Sequence, residues 1–361
     1  MQMICGRRPS TSYFDRKIGL DDIVEGGQEG VLSQSEKGYL EGVFLISVFG
    51  PVPSRRLGSS LGINNIPYKI CSYTCAYCQI GPTLRMETQR QRYSDPEELA
   101  ARVKKRLLQL AETGERVDYL TIVPDGEPTL DLALEELLLR LKETGIPVAV
   151  ISNASLISKT DVRRALCVAD WVSLKIDALS ENLWKRVDRP HPSLDHSDIL
   201  VGMEEFARFY KGTLCSETML VKGLNDEPAE LEKVARFISS SLSPSKAYIS
   251  IPTRPPAASW VQMPDAETVA AAYAIFAEQG IDTETLTGYE GNAFVVTDDP
   301  AEEILGITAV HPMRSDAVEE VLRRKGSDEK SIDRLVAEGR IRRVKYGNWI
   351  YYVRVMKEGE R

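Results

Sequence analysis

No apolar run in this chain approaches the ~20 residues that a bilayer-crossing helix needs; the longest, residues 43–49 and 146–151, are of strand length. The opening Met1-Gln-Met-Ile-Cys-Gly-Arg-Arg lacks the apolar stretch of a signal peptide, so a cytoplasmic protein without a membrane partner is expected. Six cysteines in 361 residues fall short of the density of a disulfide scaffold. A net charge of −8 gives no general attraction for nucleic acid, which would need a local basic patch. What is present is an ordinary globular balance, 43% hydrophobic and 27% charged, enough to bury a core. The length suits one large domain of about 200–250 residues with a smaller one attached.

Residues 1–42 are rich in Gly, Ser, Gln and charge without a sustained period, and read as an extension. From there to residue 297, short β-rich runs alternate with amphipathic helical stretches. The strands expected are 61–66, 117–123, 147–152, 171–176, 214–221 and 247–251; the helices are 96–113, 132–144, 159–168, 197–210 and 228–240. Asp95-Pro96 reads as an N-cap followed by proline at the first helical position, and Gly145 as a helix stop. Six β/α repeats imply a parallel sheet, either doubly wound or an incomplete barrel, and in both forms ligands gather at the C-terminal strand ends. Residues 298–361 change pattern to helix, helix and hairpin around Tyr346-Gly347-Asn348, a winged-helix-like outline. From His311 onward, 13 Lys/Arg face 9 Asp/Glu, so the tail is the one basic region.

Three cysteines crowd into eight positions, Cys71-Ser-Tyr-Thr-Cys75-Ala-Tyr77-Cys78, directly after a predicted strand. Three thiolates hold three irons of a four-iron cube and leave the fourth open to an amino acid's amine and carboxylate. Zinc is the alternative, but it needs a fourth ligand, and His191, His196 and His311 stand at no finger-like spacing. Cys5, Cys167 and Cys215 lack mutual spacing, so no second cluster is indicated.

With Tyr77 before the third cysteine, this segment resembles the signature of the radical S-adenosylmethionine (SAM) superfamily. The resemblance implies an incomplete (β/α)6 TIM-like barrel, a [4Fe–4S] cluster on Cys71, Cys75 and Cys78, and SAM as second cofactor. It also implies oxidoreductase chemistry: reductive cleavage of SAM to a 5′-deoxyadenosyl radical that abstracts substrate hydrogen, with flavodoxin or ferredoxin as electron donor. Asp125-Gly126-Glu127-Pro128 looks like the family's Gly-Gly-Glu motif, with Asp125 replacing the first glycine. Gly126 and Glu127 would then bind the methionine amino group. Ser152 and Asn153 end the third strand and suit the methionine carboxylate or ribose, or equally a helix cap. On the fourth strand Lys175 and Asp177 suit a carboxylate and the ribose, or form a buried structural pair. Glu217 stands on similar terms on the fifth strand, and the sixth would offer backbone to adenine.

The run Phe49-Gly-Pro-Val-Pro-Ser-Arg-Arg-Leu-Gly, with Arg189-Pro-His191 and Thr253-Arg254-Pro-Pro256, resembles a branch grouped with the wyosine-tRNA-synthase-like iron–sulfur oxidoreductases. That grouping does not transfer a reaction. Arg55, Arg56, Arg189, His191 and Arg254 are candidates for an anion site at the barrel mouth, or for surface salt bridges. In the tail, Arg340, Arg342, Arg343 and Lys345 with Trp349, Tyr351 and Tyr352 suit RNA binding by phosphate contact and stacking, or a protein contact and a small core. Three functions follow: radical modification of an RNA such as tRNA, radical modification of a peptide or small molecule with the tail as a lid, or an iron–sulfur regulator that binds DNA.

Overall fold

A computed structural model describes residues 47–296 and 299–355. The expected extension over residues 1–42, Cys5 and the boundary at 297/298 fall outside the described residues. The chain opens with strands β1 Ser47–Ser54, β2 Gly58–Asn64, β3 Ile70–Cys71 and β4 Arg85–Met86, then helix α1 Pro96–Glu112. The alternation continues through β5 Tyr119–Ile122, α2 Leu134–Lys142, β6 Val148–Ser152, α3 Thr160–Leu166 and β7 Trp171–Lys175. It is completed by α4 Glu181–Val187, α5 His196–Phe209, β8 Thr213–Met219, α6 Pro228–Phe237, β9 Lys246–Ser250, α7 Ala266–Glu278 and β10 Thr283–Leu286.

The main sheet runs β1-β2-β5-β6-β7-β8-β9-β10, parallel from β2 onward, with β1 antiparallel at the edge. Among the described residues no ladder joins β10 to β1, so the sheet is a partial TIM-like barrel. Arg55 reaches across the seam, its Nη2 donating to the Leu286 carbonyl at 3.2 Å. All six expected strands are present. β1, the short β3 and β4, α4, α7 and β10 are additional: β1 carries Pro51 and Pro53, which an edge strand tolerates, and α7 is alanine-rich, so its apolar stripe is faint. Asp95 caps α1 as expected, accepting from the Glu97 amide at 2.9 Å, and Gly145 follows α2 at φ +75°.

Two-residue alternation sorts the strand side chains. Val148, Val150, Val172 and Leu174 pack outward against the helices in the main core. Ala149, Trp171, Cys215, Tyr248 and Leu286 point inward and fill the barrel with Leu57. Higher up the same inner wall stand Lys175, Glu217 and Ser250, so the interior turns from apolar to polar toward the C-terminal strand ends.

The C-terminal elements are α8 Pro300–Val310, β11 Met313–Arg314, α9 Ser315–Lys325, α10 Lys330–Ala337 and the hairpin β12 Ile341–Tyr346 and β13 Trp349–Arg354. The hairpin pairs Tyr346 with Trp349 across Gly347, whose φ of +56° only glycine adopts freely. Phe49 of β1 belongs to this unit's core with Ile304, Leu305 and Leu322, so the unit is packed onto the barrel edge. Arg106 of α1 fastens it further, donating to both oxygens of Glu303 at 2.9 and 2.6 Å and to the Gly50 carbonyl. Both partners are largely buried. Arg106→Ala strands the Glu303 carboxylate and is expected to cost about 3 kcal/mol, read from denaturant unfolding; the Arg106→Met/Glu303→Met pair is expected to regain most of it. No helix among the described residues is long and apolar enough to cross a membrane.

Candidate functional site

A cavity of about 330 Å³ opens at the C-terminal ends of the parallel strands. Its lining gathers residues far apart in sequence: Cys71, Cys75, Tyr77 and Cys78; Gly126 and Glu127 after β5; Ser152 and Asn153 at the end of β6; Lys175 and Glu217; and Arg55, Arg56 and Arg254. Asp177, Arg189 and His191 lie outside it.

The cysteine loop leaves β3 and is held from behind by the segment after α4. The Thr74 amide donates to the Asp188 and Arg189 carbonyls, the Ala76 amide to Val187 at 2.8 Å, and the His191 amide to Ser72 at 2.9 Å. Arg189 and His191, expected as anion ligands, thus act through their backbones. Their side chains turn elsewhere: the Arg189 guanidinium lies 5.5 Å from the Trp260 ring centre, and His191 Nδ1 meets Ser193 Oγ at 2.8 Å. Asp177, expected at the ribose, is instead spent on the Tyr77 hydroxyl and on the Met219 amide at 2.7 Å. It orients the aromatic residue that precedes Cys78.

Lys69, which no motif in the sequence marks, is 2% exposed and directs Nζ to Cys78 Sγ at 3.6 Å and to the Gly81 carbonyl. Asn153 Nδ2 donates to Cys71 Sγ at 3.5 Å. Lys69, Ala154 and Arg189 all adopt positive φ, three of the four non-glycine residues that do so among those described. Strain therefore concentrates around the thiols, where the surrounding packing must enforce it. The one mark of Lys69 in the sequence is its place two residues before Cys71.

Glu127 is 1% exposed and already saturated. Oε1 accepts from the Thr129 amide and hydroxyl and from Ser152 Oγ at 2.7 Å, while Oε2 accepts from the Asn153 amide at 2.8 Å. It ties the β5 loop to the β6 loop. Asp125 is the less satisfied carboxylate: Oδ1 accepts from Asn64 at 3.1 Å, Oδ2 has no protein partner, and burial pushes its pKa up to about 7 against that hydrogen bond. Gly126 lets the loop touch the cysteine segment, because a Cβ there would lie 2.0 Å from the Ile70 carbonyl oxygen.

Across the cavity, burial pushes Glu217 up, but the Arg56 guanidinium, the Lys175 ammonium and the Ser250 hydroxyl outweigh it and bring its pKa to about 2. A depressed carboxylate contributes stability above its unfolded value and loses it on acidification. Unfolding free energy is expected to fall by about 3 kcal/mol between about pH 4.5 and pH 2 from this group. Denaturant titrations should show that slope, and Glu217→Gln should lack it.

The donor set fits an iron–sulfur cluster. Burial pushes the Cys71 thiol up to about 12 and the Cys75 thiol well above its ordinary value, and against that the side-chain donors aimed at Cys71 and Cys78 favour sulfur as a thiolate ligand. No three His, Cys, Asp or Glu side chains among the described residues close around one ion. Thiolates that take separate corners of a cube have no need to.

Comparison with known proteins agrees with this chemistry. Residues 65–238 match the radical SAM superfamily. A UPF0026 protein of Methanocaldococcus jannaschii is 40% identical over 315 residues, 87% of this chain and 97% of that one. A UPF0026 protein of Synechocystis is 33% identical over 58% of this chain and 76% of that one. A radical SAM methyltransferase structure from Sphaerobacter thermophilus superposes with a TM-score of 0.47 at 16% identity, covering 63% of this chain and 66% of that one. The chain is therefore a UPF0026 member of the radical SAM superfamily, an enzyme whose cofactors are a [4Fe–4S] cluster and S-adenosylmethionine.

Proposed function

We propose that this enzyme modifies a small molecule or a peptide segment drawn into a chamber between the barrel mouth and the C-terminal unit. When bound, the cluster supplies an electron to SAM, giving methionine and a 5′-deoxyadenosyl radical for hydrogen abstraction. Cys71, Cys75 and Cys78 hold it, with Lys69 and Asn153 steadying two of the sulfurs. Asp125, with one oxygen free of protein partners, offers its carboxylate to the SAM ammonium, and Glu127 holds that loop against Asn153. Gly126 supplies the close approach. Lys175 and Glu217 form the opposite wall.

The observation that carries the substrate reading is the seat of the tail. Val310 and His311 line the cavity itself, Gln79 Nε2 donates to the Val310 carbonyl at 3.1 Å, and Arg254 Nη2 donates to His311 Nε2 at 2.9 Å. The Tyr346 and Tyr351 hydroxyls donate to the Pro252 and Thr253 carbonyls at 2.8 and 2.9 Å. These contacts support the C-terminal unit as a wall of the chamber.

Its capacity for RNA is correspondingly reduced. Arg340 pairs with Glu302 and Arg343 with Asp333, and Tyr351 and Tyr352 are buried. The Arg314 guanidinium lies over the Trp349 ring, which stays 46% exposed, and of the exposed wing cations Arg342, Arg343 and Lys345, Arg343 is already held by a carboxylate. With an enzymatic role, the DNA-binding regulator loses its rationale. The test is 5′-deoxyadenosine release by reconstituted enzyme with SAM and reductant, given either the low-molecular-mass fraction of an extract or its RNA. Stimulation by the first is expected; stimulation by RNA alone would sink the reading.

A further inference from the structure

Resting on that chamber as the substrate site, we infer that the substrate is a small anion, a carboxylate or phosphate ester, gripped by Arg55 and Arg254 at the open seam of the barrel. The seam is bounded by loops after β1, β9 and β10, whereas Gly126 and Asn153 follow β5 and β6 on other strands. At this end Arg55, Arg56, Lys175 and Arg254 face Glu217 and Glu290, and Lys175 also meets Asp177 behind the wall at 3.9 Å, which leaves an excess of one positive charge.

The carboxylates are already divided. Glu217 is taken by Arg56 and Lys175, and Glu290 is shared between Arg254 and, at 3.7 Å, Arg55. His311 adds no charge: burial and then Arg254 lower its pKa to about 3, so it accepts from Arg254 as a neutral ring. Nε of both Arg55 and Arg254 is buried without a hydrogen-bond partner. A buried guanidinium with an unused donor is costly unless an acceptor completes it. With the Arg254 Nη atoms engaged by Gln79, Glu290 and His311, the unused Nε–H groups are what an oxyanion would complete, and carboxylate or phosphate oxygens suit a guanidinium N–H. Like-charge proximity points the same way, since burial and then the neighbouring Arg56 and Arg254 lower the Arg55 pKa against the pull of Glu290.

The experiment is calorimetric titration of inorganic phosphate, and separately succinate, into cluster-loaded, SAM-saturated protein at constant ionic strength. One of the two is expected to bind, and the arm that does identifies the anion class. Arg55→Gln and Arg254→Gln should each weaken it at least about tenfold, the worth of one charge-assisted bond. Lys330→Gln, which removes a charge outside the cavity, should leave affinity unchanged. Arg254→Lys, which keeps the charge without the Nε–H, should fall between. The inference is overturned if neither anion binds the unaltered protein, if both glutamine variants bind as tightly as it does, or if SAM competes the anion away. SAM failing to bind the cluster-loaded protein would instead remove the reading on which this rests.

Discussion

Replacing Cys75 with serine is expected to abolish 5′-deoxyadenosine formation and to reduce bound iron sharply after anaerobic reconstitution. A serine hydroxyl does not ionise near neutral pH and is a hard oxygen, whereas iron in such clusters is held by thiolate. Nothing nearby substitutes for the sulfur: its hydrogen-bond partner is the Asp188 carboxylate at 3.5 Å, and the flanking Thr74 and Ala76 amides are committed to the segment behind the loop. Cys167→Ser is the matching control, because that thiol sits at the end of α3 and does not line the cavity. Iron content, the visible absorption band and product release measured together decide the matter. Unchanged iron and turnover in Cys75→Ser would remove the cluster assignment.

Gly126→Ala is expected to lower SAM cleavage about a hundredfold, the scale associated with displacing reacting groups by ~1 Å. The added Cβ would stand 2.0 Å from the Ile70 oxygen, 3.0 Å from its carbonyl carbon and 3.1 Å from Ile66 Cγ2. The obstacle is backbone, so no rotamer change relieves it. One of the two loops must move, and Ile70 is bonded directly to Cys71. The Glu127 amide, which donates to that same Ile70 oxygen at 3.3 Å, moves with it. Gly306→Ala, in the helical interior of α8 with open space around it, should be neutral or slightly stabilising. SAM affinity and the product rate separate the two variants; wild-type behaviour of Gly126→Ala would mean the loop contact is dispensable.

Legibility in the sequence followed the range of the interaction. Strands β5 to β9 and helices α1, α2, α3, α5 and α6 announce themselves by period and cap because those signals are local. β10 and α7 do not, since a four-residue strand and an alanine-rich helix carry little pattern. The cysteine spacing and Gly126-Glu127 stand out in the sequence because one loop supplies each. Lys69, Asp188 and the orphan oxygen of Asp125 could not, because their significance lies in what stands opposite them.

The tail makes the distinction sharpest. Its two helices and hairpin, and the basic and aromatic character of the wing, follow from residues 311–354 alone. Whether Tyr351 stacks on a base or, like Tyr346, donates to a barrel carbonyl depends on which face meets the barrel, and strand alternation fixes faces only relative to each other. The sequence by itself determined the α/β repeat, the three thiols and the family chemistry, all carried by neighbours along the chain. Only the tertiary structure decided that Glu127 is saturated, that Asp177 serves Tyr77, and that His311 walls the cavity. Hydrogen-bond capacity and buried charge are settled by partners tens to hundreds of residues away, and a linear pattern does not encode which partners arrive.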